Sequence, residues 1–274
     1  MGPVELTVAD HDRSREYYEQ VIGLRVLDQD GPMMSLGVDG TELLVLVEET
    51  GATPALGHTG LFHFALLLPD RPSLARWLAH AGRDRVPLAG LSDHFVSEAI
   101  YLSDPDLHGI ELYADRPRQT WEGRVEAGMT TLPLDVQSLL GELDDPATEP
   151  FDGLPVGTTM GHVHLRVAAI PDTLAFYRDV LGFELMASYG AQAAFLAAGG
   201  YHHHVGANTW QSGGAPPPPP GTAALRRATI VLPDAAERDR VAGRVADAGQ
   251  EPQKGENGVA VLDPSGNRLL VAPR

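Results

Sequence analysis

Three residues able to hold a divalent cation sit where two similar stretches of the chain differ. His63 lies in Leu61-Phe62-His63-Phe64-Ala65-Leu66, Glu111 in Ile110-Glu111-Leu112-Tyr113, and His162 in Gly161-His162-Val163-His164. Two imidazoles and one carboxylate on one side of a cation leave positions open for substrate and dioxygen. Two of them also have a plainer reading: His63 as a hydrogen-bonded core imidazole, Glu111 as a solvent-facing carboxylate on an edge strand. Period-2 alternation puts His63 on the face shared with Leu61 and Ala65. Glu111 interrupts an apolar strand, where an uncompensated buried carboxylate is costly, so a cation or metal partner is expected. His162 and His164 alternate onto one face, and only one of them need be a ligand. A second group, Tyr201-His202-His203-His204, enters the strand that ends near Asn208. Imidazoles with a pKa near neutrality suit proton transfer as well as a surface.

A duplication ties these residues together. Val8, Tyr17, Tyr18 and Val21-Ile22-Gly23-Leu24 recur as Val167, Phe176, Tyr177 and Val180-Leu181-Gly182-Phe183, each 159 positions later. Leu68-Pro69-Asp70 recurs as Leu232-Pro233-Asp234, and Asp104-Pro105 as Asp263-Pro264. The copies diverge at the candidate ligands: Arg227 and Leu270 stand where the first half has His63 and Glu111, and Pro3 where the second has His162. A single shared site accounts for all three replacements.

The elements that must position these residues follow the same repeat. Each half reads as two units of about fifty residues, and such repeats are sought before any fold is assigned. In the first unit the spacing predicts a strand through Val4, Leu6 and Val8, a helix from Asp12 to Val21, and Gly23 as its C-terminal cap. Strands at Leu24–Asp28, Met33–Val38 and Glu42–Val47 follow, with Asp39-Gly40 as the turn between the last two. The second unit has a strand at Leu61–Leu67, a helix at Ser73–Ala81, and strands at Glu98–Leu102 and Gly109–Tyr113. The third runs from His162 to about Trp210. The fourth runs from Ala224 to Ala272, with a helix near Ala235–Ala248. Pro216–Pro220 reads as a stiff extended connector. These units give domains at 1–116 and 159–274 with a linker at 117–158, in which Pro133–Leu143 has room for a short helix. Consecutive runs of strands, with no glycine-rich loop after a strand, favour α+β over a doubly wound parallel sheet. The expectation is four βαβββ modules in two duplicated halves, paired into curved mixed sheets around a metal-binding cavity.

Composition narrows the partners. The 274 residues, 43% of them apolar, support substantial cores, and the net charge of -17 opposes binding to phosphate backbones. Without cysteine, any metal depends on His, carboxylate or water. No charged leader precedes the first strand and no run of ~18 apolar residues occurs, so the expected location is cytoplasmic, with no membrane partner.

At these residues the chain resembles the vicinal oxygen chelate superfamily, which includes glyoxalase I, bleomycin-resistance proteins and extradiol dioxygenases, and within it the single-chain catechol 2,3-dioxygenases. The resemblance spans nearly the whole chain. It is carried by Gly161-His162 leading into Ala175-Phe176-Tyr177 and Val180-Leu181-Gly182-Phe183, by Phe195-Leu196 before Tyr201-His202-His203, and by Tyr101 ten positions ahead of Glu111. It implies ring cleavage of a small aromatic diol by dioxygen at Fe(II), with Mn(II) as the alternative metal, and it allows a homo-oligomer. The family pattern places the ligands in units three and four. Here only His162 fits that pattern, because Arg227 and Leu270 occupy the fourth-unit positions. His63 and Glu111 hold the equivalent places in unit two, which implies that unit two packs on unit three and unit one on unit four. By motif, His203 matches the acid/base histidine and Tyr101 the substrate-binding tyrosine, while His94 lies near a further substrate-contacting histidine at an unusual spacing. Alternation would place His202 and His204 opposite His203 unless a bulge intervenes. A glyoxalase-type isomerase or lyase, which generally needs a second acidic ligand, and a metal-free binding protein of the bleomycin-resistance type remain alternatives.

Overall fold

The computed structural model describes residues 1–274. Module one comprises β1 (Val4–Val8), a helix spanning His11–Glu16 that widens into a π-helical turn over Tyr17–Ile22, then β2 (Arg25–Asp30), β3 (Met33–Val38) and β4 (Thr41–Glu48). Gly23 ends the helix in the left-handed region at φ +92°, the conformation for which a C-terminal glycine was expected. Asp39 and Gly40 both have positive φ, as a tight two-residue hairpin requires. Module two comprises β5 (Gly60–Leu67), the helix Arg71–Arg83, and strands β6 (Gly90–Asp93), β7 (Ser97–Ser103) and β8 (Gly109–Asp115). The sequence reading passed over β6, whose Gly, Ser and Asp are poor strand formers.

Module three contains β9 (Thr159–Arg166), a helix over Ile170–Leu174 with a π turn over Ala175–Val180, and β10 (Glu184–Tyr189), β11 (Ala193–Ala197) and β12 (Val205–Asn208). Module four contains β13 (Leu225–Leu232), the helix Ala235–Asp247, β14 (Gln253–Gly255), β15 (Gly258–Leu262) and β16 (Arg268–Pro273). One expectation fails here. The histidines 202–204 do not lie on a strand, because Gly199 and Gly200 both adopt positive φ and the chain remains irregular until Val205.

The modules pair across the halves. One sheet has the order β14-β15-β16-β13-β1-β4-β3-β2 and joins module four to module one. The other has the order β6-β7-β8-β5-β9-β12-β11-β10 and joins module two to module three, with Leu132–Pro133 as a ninth strand beside β6. Both seams, β1 with β13 and β5 with β9, are antiparallel. A large core, including Leu6, Tyr18, Phe64, Trp77, Leu112 and Tyr177, unites the sheets and their helices.

Several of the repeated residues prove to be braces. Asp104 Oδ2 accepts a hydrogen bond from Tyr18 Oη while its Oδ1 accepts from the amides of Asp106 and His108. Asp263 repeats this with Tyr177 Oη and the amides of Ser265 and Asn267. Each brace fixes a helix of one module to a turn of the next, and satisfying every oxygen makes burial of the carboxylate tolerable. No helix of the molecule is long and apolar enough to cross a membrane.

Candidate functional site

The seam between β5 and β9 builds the site. Glu111 on β8 and His162 on β9 are both register partners of Ala65 on the intervening β5. His63 lies two residues from Ala65, so period-2 pleating puts all three polar side chains on one face with the small Ala65 between them. Their ligand atoms all fall within 4.8 Å of one another.

Two bulges produce this alignment. The ladder of β9 slips between Met160 and His162, leaving Gly161 as the extra residue and turning His162 into register with Ala65. Gly161 is also the only residue type that fits, because a Cβ there would collide with the Tyr113 hydroxyl. A second slip, between His164 and Leu165, leaves Phe62 unpaired on β5. Leu61 therefore does not share the site face with His63, contrary to simple alternation. Leu61 packs in the main core, and Phe62 and His63 both line the cavity.

Glu111 is 2% exposed. His162 Nε2 donates to Glu111 Oε2 at 3.1 Å. His63 Nε2 stands 3.0 Å from the same oxygen, out of line for a hydrogen bond and without another partner. Burial disfavours the Glu111 anion, but His162 and His63 outweigh it and hold its carboxyl well below the usual carboxylate range. Burial pushes His162 below the usual imidazole range, against the pull of Glu111. A buried anion facing two imidazole nitrogens, one of them orphaned, is compatible with a divalent metal. Neutral imidazole and carboxylate are also the donors such a metal requires.

The remaining candidates surround this cluster. Tyr101 on β7 is the register partner of Glu111, and burial followed by the Glu111 charge raises its hydroxyl pKa well above normal, so it stays a neutral donor. His94 Nδ1 lies 2.7 Å from the Thr130 carbonyl and must donate there, which leaves Nε2 to accept from Tyr101 Oη, also at 2.7 Å. His203 packs its ring 4.0 Å from that of His162. Its Nδ1 lies 2.8 Å from His202 Nδ1, and His202 Nε2 donates to Asp115 Oδ1 at 2.9 Å. With Asp115 fixing the His202 proton on Nε2, His203 Nδ1 must be the donor between the rings, and His203 Nε2 is left to accept. Burial, reinforced by the neighbouring histidines, pushes His203 well below the usual imidazole range.

Sequence reasoning missed the Asp115–His202 pair, since Asp115 ends β8 and reaches His202 only across the folded seam. It also missed the contribution of segment 117–158, which supplies Met129 and Thr131 to the cavity wall and the Thr130 carbonyl to His94. The cavity measures about 500 Å³ and includes His63, Glu111, Tyr101, His94 and His203 in its lining.

The sister seam has no such cluster. There Glu5 pairs with Arg227 in the register that His164 and His63 share in the site sheet. Arg227 Nε lies 2.9 Å from Glu5 Oε2, so a guanidinium supplies the positive charge beside that carboxylate.

A fold of paired βαβββ modules with a His-His-Glu cluster at one seam defines a class, and comparison with known proteins names it. Residues 1–112 and 159–271 match the model of the glyoxalase/bleomycin resistance protein/dioxygenase superfamily, and the chain belongs to that superfamily. It is 44% identical over 270 residues to a catechol-2,3-dioxygenase of Bacillus subtilis, covering 96% of this chain and 93% of the relative. Among solved structures, glyoxalase I from Zea mays superposes with a TM-score of 0.62 at 17% identity, covering 100% of this chain and 92% of its own. The cppA protein of Streptococcus pneumoniae superposes with a TM-score of 0.55 at 13% identity, covering 99% and 96%. At those identities the likeness concerns the fold.

Proposed function

We propose that the protein is an extradiol dioxygenase that cleaves catechol or a substituted catechol, with Fe(II) held by His63, Glu111 and His162. The observation that carries this reading is the convergence of those three side chains beside His203, in a chain so similar to a protein named catechol-2,3-dioxygenase. Bound there, Fe(II) would supply a Lewis-acidic, redox-active centre at which a diol and dioxygen are brought together.

The protein's part is orientation, exclusion of water and movement of one proton. His203 Nε2 accepts a proton from a substrate hydroxyl and returns it as the ring opens. Burial suits His203 to start each cycle neutral. The Asp115–His202 pair holds the ring of His203 in the accepting tautomer. Tyr101 hydrogen-bonds a substrate oxygen, its hydroxyl proton turning away from His94 Nε2 to do so. Among the residues that line the cavity, Glu111 is the sole carboxylate, which counts against a glyoxalase-type site with a second acidic ligand. The orphaned His63 Nε2 counts against a metal-free binding protein.

Anaerobic reconstitution with Fe(II) or Mn(II), followed by oxygen uptake with catechol and detection of a yellow ring-opened product, tests the reading. His162→Ala and Glu111→Ala should each lose iron while remaining folded. Full iron retention in either variant would overturn that ligand assignment, and no oxygen uptake from a panel of substituted catechols by iron-loaded protein would overturn ring cleavage.

A further inference from the structure

The cavity is larger and more aromatic than an unsubstituted diol requires. At about 500 Å³ it lies in the range of pockets that enclose drug-sized ligands. A bare dihydroxybenzene would leave room for on the order of ten waters at ~30 Å³ each. Those waters would find few polar partners, because one wall is a continuous aromatic cluster. Phe62 meets His164 at 5.1 Å and Trp210 at 5.4 Å between ring centroids, and His164 meets Phe195 at 5.6 Å, nearly all edge-to-face. Tyr189 extends the cluster through Phe195 at 5.9 Å. Such edges suit the face of a further aromatic ring.

Charge points the same way. Of the residues that line the cavity, none is Lys or Arg, and Glu111 is the one acidic side chain. Arg166 stacks on Phe62 but lines a different cleft. A substrate carboxylate would therefore lose its hydration without gaining a cation, which costs several kcal/mol. On this wall His164 is 3% exposed, and its Nε2 has no partner. Its ring fits because residue 206 is glycine, where a Cβ would lie 2.8 Å from His164 Cγ.

Resting on the dioxygenase reading, we infer that the substrate is an uncharged catechol bearing an aryl substituent, bound against Phe62, His164, Phe195 and Trp210. The diol occupies the metal end beside His203, and the substituent extends toward Trp210, which is 47% exposed and stands at the cavity mouth.

Two measurements on the Fe(II)-loaded protein test this. Anaerobic isothermal titration calorimetry compares the binding of biphenyl-2,3-diol, catechol and 3,4-dihydroxyphenylacetate. Oxygen uptake then compares their kcat/KM. The aryl diol should bind at least tenfold more tightly than catechol, the carboxylated diol at least tenfold more weakly, and kcat/KM should follow the same order. In Trp210→Ala the preference for the aryl diol over catechol should shrink by about tenfold, and the binding titration reports this whether or not turnover occurs. Equal or tighter binding of catechol or the carboxylated diol would overturn the substrate class and leave ring cleavage standing. The expected binding order with no oxygen uptake would keep the substrate class and overturn ring cleavage.

Discussion

Replacing Glu111 by Gln separates the proposed part of its carboxylate as a metal ligand from its part as a buried charge. The side chain is 2% exposed with two imidazole nitrogens at 3.0 and 3.1 Å. A unit positive charge 3.0 Å from it contributes about 5 kcal/mol at an effective dielectric of ~20. Without a metal only the two imidazoles offset the desolvation penalty, and burial holds His162 below the usual imidazole range. Glutamine keeps the shape, and its oxygen, placed where Oε2 stands, still accepts from His162 Nε2 while the buried charge is removed. Metal-free Glu111→Gln should therefore melt at or above the temperature of the metal-free parent. Metal at ~1,000 times its Kd stabilises the native state by about 4.1 kcal/mol. With about 2.1 cal/mol/K of unfolding entropy per residue over 274 residues, that corresponds to a rise of about 7 °C in the parent. In Glu111→Gln the rise should fall below ~2 °C. Differential scanning calorimetry under anaerobic conditions, with and without Fe(II), reads both quantities. A variant that melts several degrees lower without metal yet keeps the full metal-induced rise would show that Glu111 is a structural acid and not a ligand.

Three further outcomes follow from the same geometry. Gly161→Ala should lower stability by about 1–3 kcal/mol in urea titrations and weaken metal retention, since the added methyl must displace the Tyr113 hydroxyl or the strand that carries His162. Asp115→Asn should reduce kcat at least tenfold with iron content and KM little changed, because it releases the tautomer of His202 and hence of His203. Acid should weaken the metal-free protein as pH falls below ~6.5. Burial pushes His164 and His203 well below that value and His204 down to about 4, so the unfolded chain takes up protons that the fold refuses. Urea midpoints between pH 7 and 5 should drop, and the drop should be shallower in His204→Gln.

The candidate site was legible in the sequence to an unusual degree because duplication supplied an internal comparison. His63, Glu111 and His162 stood out where Arg227, Leu270 and Pro3 replaced them, and that split implied the pairing of module two with module three. What stayed hidden depends on departures from regular geometry. Alternation could not foresee that Gly161 and Phe62 bulge, so Leu61 was placed on the wrong face. A strand entered through Tyr201 and histidines 202–204 overlooks what Gly199 and Gly200 permit. Strand β6 lacks the residues that signal a strand, and it is held by its neighbours at register positions such as Ser92 with Ala99. Asp115 and Thr130 act through contacts that exist only after the seam closes, a kind of information that no local pattern carries.

The crossed pairing of the modules also orders assembly in time. β5 must wait for β9, whose His162 pairs with Ala65, but β1 must wait for β13, whose Ala228 pairs with Val4. At ~5–20 residues per second, the edge of β1 remains without its partner strand for on the order of ten to forty seconds of synthesis. An open strand edge of that lifetime invites pairing with other chains, and the charge of Glu5 within β1 is one of the devices that discourage it. The seam that gathers His63, Glu111 and His162 thus closes well before its sister. Ribosome pausing between modules three and four would leave a nascent chain that already holds His63, Glu111 and His162, while the edge of β1 still lacks its partner strand.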